Sequence, residues 1–463
     1  MNDLIERKPF RVKLNKMVKA IRTNIVMGTW KAGDYLPSEQ TLAKQYELSN
    51  LTVRKGLEAL VAEGYIQKIP RVGNQVTQTF KNRAVHIKFG YYADLEQSVG
   101  LSSLIDEFQR RNPHIRIEAS PIRIQQGSSY ADTITELLQQ EKLDLVTMNT
   151  SDYRLMADQS LLPTFSAQPV NNAIPRPIRQ PFLHGETPYA APFIYSPVLL
   201  CYNKAHFRQA GLPTPDSGWT WDELLEQAAK LNVQGERYGF YFYPLSDNRW
   251  PIFLLQNGFR LDRSSREALA ASVERIVEAM RVCKELFNRP DTFPAYLSDS
   301  EVTPEWLFAH GKISMIMTTY FHLNRLLQTD VEYDVAPLPY IREPMTLLLA
   351  IGLVVNDRSQ AKFDAQLFVD FLQSPEAQAI IRRETLSIPA ARMAVDMGSE
   401  ASPMLNRPAN YAMYRDIIPT FRIHSDMNVT SEELQRILNA SRLFWANLED
   451  ESTLTERLMH VLA

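Results

Sequence analysis

Cysteine is almost missing. Cys201 and Cys283 are the only two in 463 residues, too few for a disulfide framework or a cysteine-based zinc site. Long hydrophobic runs are missing too: the longest, TLLLAIGLVV at 346–355, falls far short of the roughly 20 residues that span a bilayer. At the N-terminus, MNDLIERKPFRVKLNKMVK carries charges where a secretory signal needs an apolar core. The eight histidines form no HxxxH pair and no ligand cluster with cysteine or carboxylate. There is no GxGxxG, no glycine-rich phosphate loop ending in Lys-Ser or Lys-Thr, and no GxSxG elbow. These absences set the expectation of a soluble, cytoplasmic protein that is not an enzyme, has no membrane partner and uses no metal or cofactor.

What the chain does hold is ordinary in amount and uneven in placement. Hydrophobic content of 45% and charged content of 22% suit packed cores, and the length suits two or three domains. Residues 1–80 contain 13 Lys and Arg against 7 Asp and Glu, a balance of +6 that leaves −9 for the rest. A basic head on an acidic body fits a nucleic-acid module joined to something else.

The head centres on LPSEQTLAKQYELSNLTVRKGLEALVAEGYIQ, residues 36–67. Ser38 is placed to cap a helix with apolar positions Leu42, Ala43 and Tyr46. Ser49 is placed to cap a second helix whose inward stripe is Val53, Leu57, Leu60 and Val61. The outward face of that helix offers Asn50, Leu51, Thr52, Arg54 and Lys55. Two short helices around a tight turn, the second presenting polar and basic groups, describe a helix-turn-helix. Leu14, Met17, Val18, Ile21 and Ile25 share one face of a supporting helix over 12–27. YIQKIPRVGNQV reads as two strands about a turn containing Gly73-Asn74, with Lys68 and Arg71 placed to meet phosphates or a minor groove.

This ordered set, "GDYLPSEQTLA", "SNLTVRKGLEALVAEGYI" and the wing, resembles the winged-helix domain of the GntR family of bacterial transcription regulators over about residues 10–78. The resemblance implies that Ser38, Thr52, Arg54 and Gly73 carry DNA contacts or the close backbone approach. The sequence departs from the family at Gln40 and Asn50, where arginine is usual, and at Arg71, where glycine is usual. Gln and Asn suit adenine better than guanine, and Leu51 suits a thymine methyl. The expected partner is a double-stranded DNA operator unlike the common family sites, read by a homodimer on family habit.

After the polar connection TQTFKNRA, strands and helices alternate: AVHIKFGYY, LSSLIDEFQRRNP, IRIEASPI, SYADTITELLQQ and LDLVTMN. That order predicts a parallel sheet with crossover helices, and ligands bind at the carboxyl ends of such strands. The succession "YAAPFIYSPVLLCYNKAHFRQAGLPTPDSGWTWDELLEQAAKL", "LFAHGKISMIM", "YDVAPLP" and "FVDFLQSPEAQ…IPA" resembles the family 1 extracellular solute-binding proteins, carbohydrate receptors of ABC importers, over about 84–463. The expected fold is therefore an α+β winged helix-turn-helix domain, 1–80, followed by a two-lobed α/β periplasmic-binding-protein-like domain of type II, 84–463. Lobe one is expected at about 84–188 plus 346–388, and lobe two at about 189–345 plus 389–463.

Sugars are held by flat aromatic faces and by polar side chains around their hydroxyls. Positions carried over from the family are Tyr91, Tyr92 and Asp94 after the first strand and Met148, Asn149 and Asp152 after the third. In lobe two they are Tyr195, Ser196, then Asp247, Arg249 and Trp250, and finally Tyr320 with Phe321. Trp250 precedes the apolar PIFLL and fits a core position equally well, while Trp219 and Trp221 open a helix and are read as packing residues. The resulting expectation is a transcription regulator whose body senses a small molecule, a sugar or oligosaccharide, by lobe closure. Its alternatives are an importer's receptor subunit and a regulator whose body only dimerises.

Overall fold

Three helices open the chain, α1 (Arg7–Val26), α2 (Glu39–Tyr46) and α3 (Asn50–Ala62), and a glycine decides how they meet. In the computed structural model, which describes residues 7–26, 28–77, 85–124, 128–289, 293–294, 303–391 and 405–463, a Cβ on Gly56 would come within 2.6 Å of Met17 Cε and 2.9 Å of Leu14 Cδ1. Bare backbone there lets α1 lie close against α3. Met17, Val18, Ile21 and Ile25 of α1 are buried, as are Val53, Leu57 and Leu60 of α3. The expected stripe needs two corrections: Val61 is 38% exposed, and Thr52, expected outward, is only 4% exposed. With α1 seated over Gly56, the buried face of α3 turns toward Thr52 and away from Val61.

Ser38 and Ser49 cap α2 and α3, accepting from the backbone N–H of Thr41 at 3.1 Å and of Thr52 at 3.2 Å. The wing is an antiparallel hairpin of β1 (Ile66–Ile69) and β2 (Gly73–Val76), in register Ile66↔Val76. Extended backbone at 33–36 pairs with the other edge of β2 through Gly33 N–H to Val76 O and Leu36 N–H to Asn74 O, both 2.9 Å. Of the connection TQTFKNRA, all but Thr77 lies outside the described residues.

Contacts divide the chain into two compact units, one up to Val85 with Asn112–Arg116, the other His86–Arg111 with Ile117–Ala463. The second begins with the expected strands and helices, β3 (Val85–Tyr91), α5 (Leu101–Arg111), β4 (Ile115–Pro121), α6 (Tyr130–Gln139) and β5 (Leu145–Asn149), to which the structure adds α4 (Leu95–Val99) and α7 (Thr150–Asp158). A small hairpin, β6 (Leu183–His184) and β7 (Thr187–Pro188), precedes the long β8 (Ala191–Asn203). The remaining strands are β9 (Tyr238–Tyr241), β10 (Ile313–Thr319), β11 (Tyr333–Ala336), β12 (Thr346–Val355), β13 (Ile388–Pro389) and β14 (Phe421–Arg422). Their order is β4-β3-β5-β12-β8-β10-β9, with β11 and β13 on β8 and β14 on β12.

The sheet is mixed rather than wholly parallel. β3 runs parallel to β5 and β9 to β10, but β12 is antiparallel to both β5 and β8, and β8 is antiparallel to β10. Every residue of β8 and β12 is buried, which suits their largely apolar sequences. These two strands join the half of the body holding β3–β5 to the half holding β9–β11, giving a two-lobed α/β architecture of the periplasmic-binding-protein kind. Their register slips between Ile351 and Gly352. A Cβ on Gly352 would sit 3.0 Å from Ala190 Cβ and 3.3 Å from the Phe182 ring. Trp219 and Trp221 are core residues, and the Trp221 indole donates to Gln256 Oε1 at 2.8 Å. Cys201 on β8 and Cys283 on the helix Arg266–Phe287 are fully buried free thiols.

Candidate functional site

The reading face of the head is set by α2 and α3. Gln40, Asn50, Leu51, Arg54 and Lys55 are exposed, Leu51 at 66%. Arg54 is already engaged, its guanidinium 2.9 Å from the Glu39 carboxylate, which ties the two helices together on their outer side. The hydroxyls of Ser38 and Ser49 are used in capping, and each also bonds the hydroxyl three residues on, Thr41 at 2.8 Å and Thr52 at 2.7 Å. Thr52 therefore supports the cap from inside rather than facing outward. In the wing, Arg71 is exposed with φ +66° and Gly73 has φ +146°. Only the second is a conformation that glycine alone adopts easily.

In the body, the carboxyl ends of β3 and β5 bring Tyr92, Asn149 and Asp152 together. Asn149 caps α7, accepting from the Asp152 N–H at 2.8 Å. The Tyr92 hydroxyl donates to Asp152 Oδ2 at 2.5 Å and accepts from the Asn149 N–H at 2.9 Å. Asn149 Nδ2 reaches the same carboxylate oxygen at 2.8 Å. Burial raises the Asp152 pKa, and the Tyr92 and Asn149 hydrogen bonds oppose it. Burial also raises that of Tyr92 strongly, with Asp152 adding to the effect. The Tyr92 ring stacks on Tyr130, centroids 4.1 Å apart, an aromatic that sequence reading passed over because it opens an ordinary helix.

Several other expected ligand residues are packed into protein. Met148, Trp250 and Tyr320 are fully buried, and Tyr91 and Tyr195 nearly so. The Tyr320 hydroxyl donates to Tyr411 O at 2.7 Å, and Ser196 Oγ accepts the Tyr320 N–H at 2.9 Å. Arg249 is not a solvated loop charge: it is 6% exposed, donates to Met317 O and Asn248 O, and desolvation lowers its pKa to about 10, partly offset by Glu305. Asp247 is half-buried and accepts from Gln435 Nε2 at 2.7 Å. Burial raises its pKa. His424 bonds its backbone carbonyl at 2.8 Å.

Asp94 and Phe321 take part in contacts from one half of the body to the other. Asp94 pairs with Arg325 at 2.8 Å, and Ser98 Oγ donates to the Phe321 carbonyl at 3.4 Å. On the α7 side, Ser151 Oγ donates to Asn248 Oδ1 at 2.9 Å, Arg154 to Val429 O, and Asp158 accepts the Ser431 N–H at 2.8 Å. Sequence reading missed Arg325, Ser151 and Asn248, which carry no local signal. It also missed the pair Tyr411 and Tyr414, whose spacing in NYAMYR between arginines was a usable one.

Among the described residues no group of three or more His, Cys, Asp or Glu could hold a metal ion, and no helix is long and apolar enough to cross a membrane.

Comparison with known proteins assigns both parts. Residues 92–379 match the bacterial extracellular solute-binding protein model, and residues 14–76 match the gntR family of bacterial regulatory proteins. The HTH-type transcriptional regulator TreR of Bacillus subtilis is 33% identical over 138 residues, covering 29% of this chain and 56% of TreR. A putative binding protein of Brucella abortus is 28% identical over 207 residues, 41% of this chain and 47% of its own length. The chain thus spans about half the length of the curated relatives it matches. Among solved structures, the substrate-binding protein Lmo0181 of Listeria monocytogenes, in complex with cycloalternan, superposes with a TM-score of 0.66 at 19% identity, covering 81% of this chain and 98% of its own.

Proposed function

The chain belongs to the bacterial extracellular solute-binding protein family and carries a GntR-family domain at its N-terminus, and from that premise we propose that it is a one-component transcription regulator sensing a sugar or oligosaccharide. The observation that carries this reading is the union of the two modules in one chain. A DNA-reading head is of use only where DNA is, so the protein acts in the cytoplasm. An importer's receptor has no use for such a head.

In this reading the head works as a homodimer on an operator, with Gln40 and Asn50 reading base edges, Leu51 against a thymine methyl, and Arg54, Lys55 and Arg71 toward phosphates. The ligand enters between lobes bordered as the sequence suggests, 84–188 with 346–388 against 189–345 with 389–463. Tyr92, Asn149, Asp152 and Asp247 supply polar groups there. Paired half-sites lie about 34 Å apart, so a small rotation of one head uncouples it. Ligand must favour one arrangement by roughly 5 kcal/mol to move occupancy from one extreme to the other. A thermal-shift panel of neutral mono- and oligosaccharides on the full chain, followed by operator gel shift with the hit, tests this. Operator affinity indifferent to every ligand that binds would sink it.

A further inference from the structure

Two guanidinium groups in the body share one aromatic ring and, among the described residues, have no acid to neutralise them. Arg382, at the end of the helix Pro375–Glu384, lies 4.2 Å from the Tyr411 ring centroid, and Arg407 lies 4.6 Å from it. Among the described residues neither has a carboxylate partner; the nearby Glu384 is paired with Arg383. Arg407 Nη2 is anchored on the carbonyls of Arg382 and Thr385 at 2.8 and 3.0 Å. Among the described residues its Nε is buried without a hydrogen-bond partner, as are Nε and Nη1 of Arg382. The Tyr414 hydroxyl, on a side chain with no exposure, is also unpartnered, and its ring meets Tyr411 edge-on at 5.8 Å.

This arrangement costs stability as it stands. Each buried donor without an acceptor loses its hydration without compensation, and two like charges repel across a partly desolvated space. Stacking on Tyr411 returns only part of that cost. Burial lowers the Arg407 pKa, and the Arg382 charge acts in the same direction. An oxyanion removes all of these costs together. Placed against the arginines, it would accept from the guanidinium nitrogens and neutralise the charge; a planar fork matches phosphate or carboxylate oxygens. Both arginines are half-buried, leaving an approach from solvent. The buried Tyr195 packs on Tyr414 with centroids 6.2 Å apart.

We propose that Arg382, Arg407 and Tyr414 form a subsite for an anionic group, so that the sensed molecule is a sugar bearing a phosphate or carboxylate. The inference rests on the sensor reading above and names the chemistry of its ligand.

The test is thermal shift and calorimetry on the full chain with four probes: glucose, glucose 6-phosphate, glucuronate and inorganic phosphate. Arg382→Gln and Tyr414→Phe serve as variants. Tyr414→Phe removes no hydrogen bond and keeps the ring, so it folds even if Arg382→Gln does not. The expected result is tighter binding of an anionic probe than of glucose, weakened at least about tenfold in Arg382→Gln and several-fold in Tyr414→Phe. Inorganic phosphate matching the sugar acids would make free anion the source and still support the subsite. Equal binding of glucose and its phosphate, unchanged in both variants, would overturn the subsite while leaving a sugar sensor. Anion binding that neither variant weakens would also overturn it, and so would the failure of all three anions to bind.

Discussion

Arg71 holds φ +66° at the tip of the wing, a conformation that costs a side-chain-bearing residue about 1–2 kcal/mol. Arg71→Gly is expected to stabilise the head by about 1 kcal/mol in urea denaturation. If the arginine meets a phosphate, the same change weakens operator binding and lowers the slope of log affinity against log salt by about 1. A more stable head with an unaltered salt slope would remove Arg71 from the interface. The departure from the family's glycine was legible in sequence; its backbone conformation was not, because φ follows from hairpin geometry. Thr52 and Val61 teach a similar lesson. The apolar spacing of α3 was plain, but which side of the stripe is buried depends on α1 seating over Gly56, a contact between residues far apart in the chain.

At the scale of elements, the helix Pro304–Ala309 carries a buried carboxylate whose partners come from beyond it. Glu305 accepts from Thr318 Oγ1 at 2.5 Å and lies 3.5 Å from His322 Nδ1 and 3.6 Å from Arg325 Nη1. Burial acts to raise its pKa, but the His322 charge and the hydrogen bonds from His322 and Thr318 hold it at about 2. A carboxylate with a folded pKa below its unfolded one stabilises above the unfolded value, near 4.5, and loses that contribution as pH falls toward 2. Glu305→Gln should flatten the acid limb of the stability curve by roughly 3 kcal/mol, read by denaturation between pH 2 and 5. An unchanged limb would count against it. At the crossing strands, Gly352→Val should cost about 1–3 kcal/mol by overpacking against Ala190 and Phe182; a neutral melting temperature would mean that the strands yield there. Sequence marked β12 as an apolar run but could not orient it, since a run buried on both faces carries no local sign of direction; the parallel order expected for the first strands holds for β3 and β5, and the antiparallel β8 and β12 make the whole sheet mixed.

For the whole molecule, the order of motifs along the chain was enough to separate head from body, because each module has its own spacing of turns and apolar residues. The contacts joining the two halves of the body were not legible. Asp94 and Arg325 are separated by 231 positions, and nothing local marks either. The Asp94 side chain is 61% exposed, so Asp94→Asn should cost less than about 1 kcal/mol of stability. It should nevertheless speed amide hydrogen exchange at 94–98 and 321–325 while leaving β8 slow; unaltered exchange there would mean that the pair restrains nothing. The two cysteines bear on how such movements can be followed. Both thiols are fully enclosed and burial raises their pKa values well above the usual range, so neither offers a thiolate to a reagent. The folded protein should be inert to maleimide and take up two equivalents only when denatured. A single cysteine introduced on the surface then becomes a specific attachment point for a dye or spin label, and the natural chain is already the labelling background that distance measurements between the lobes require.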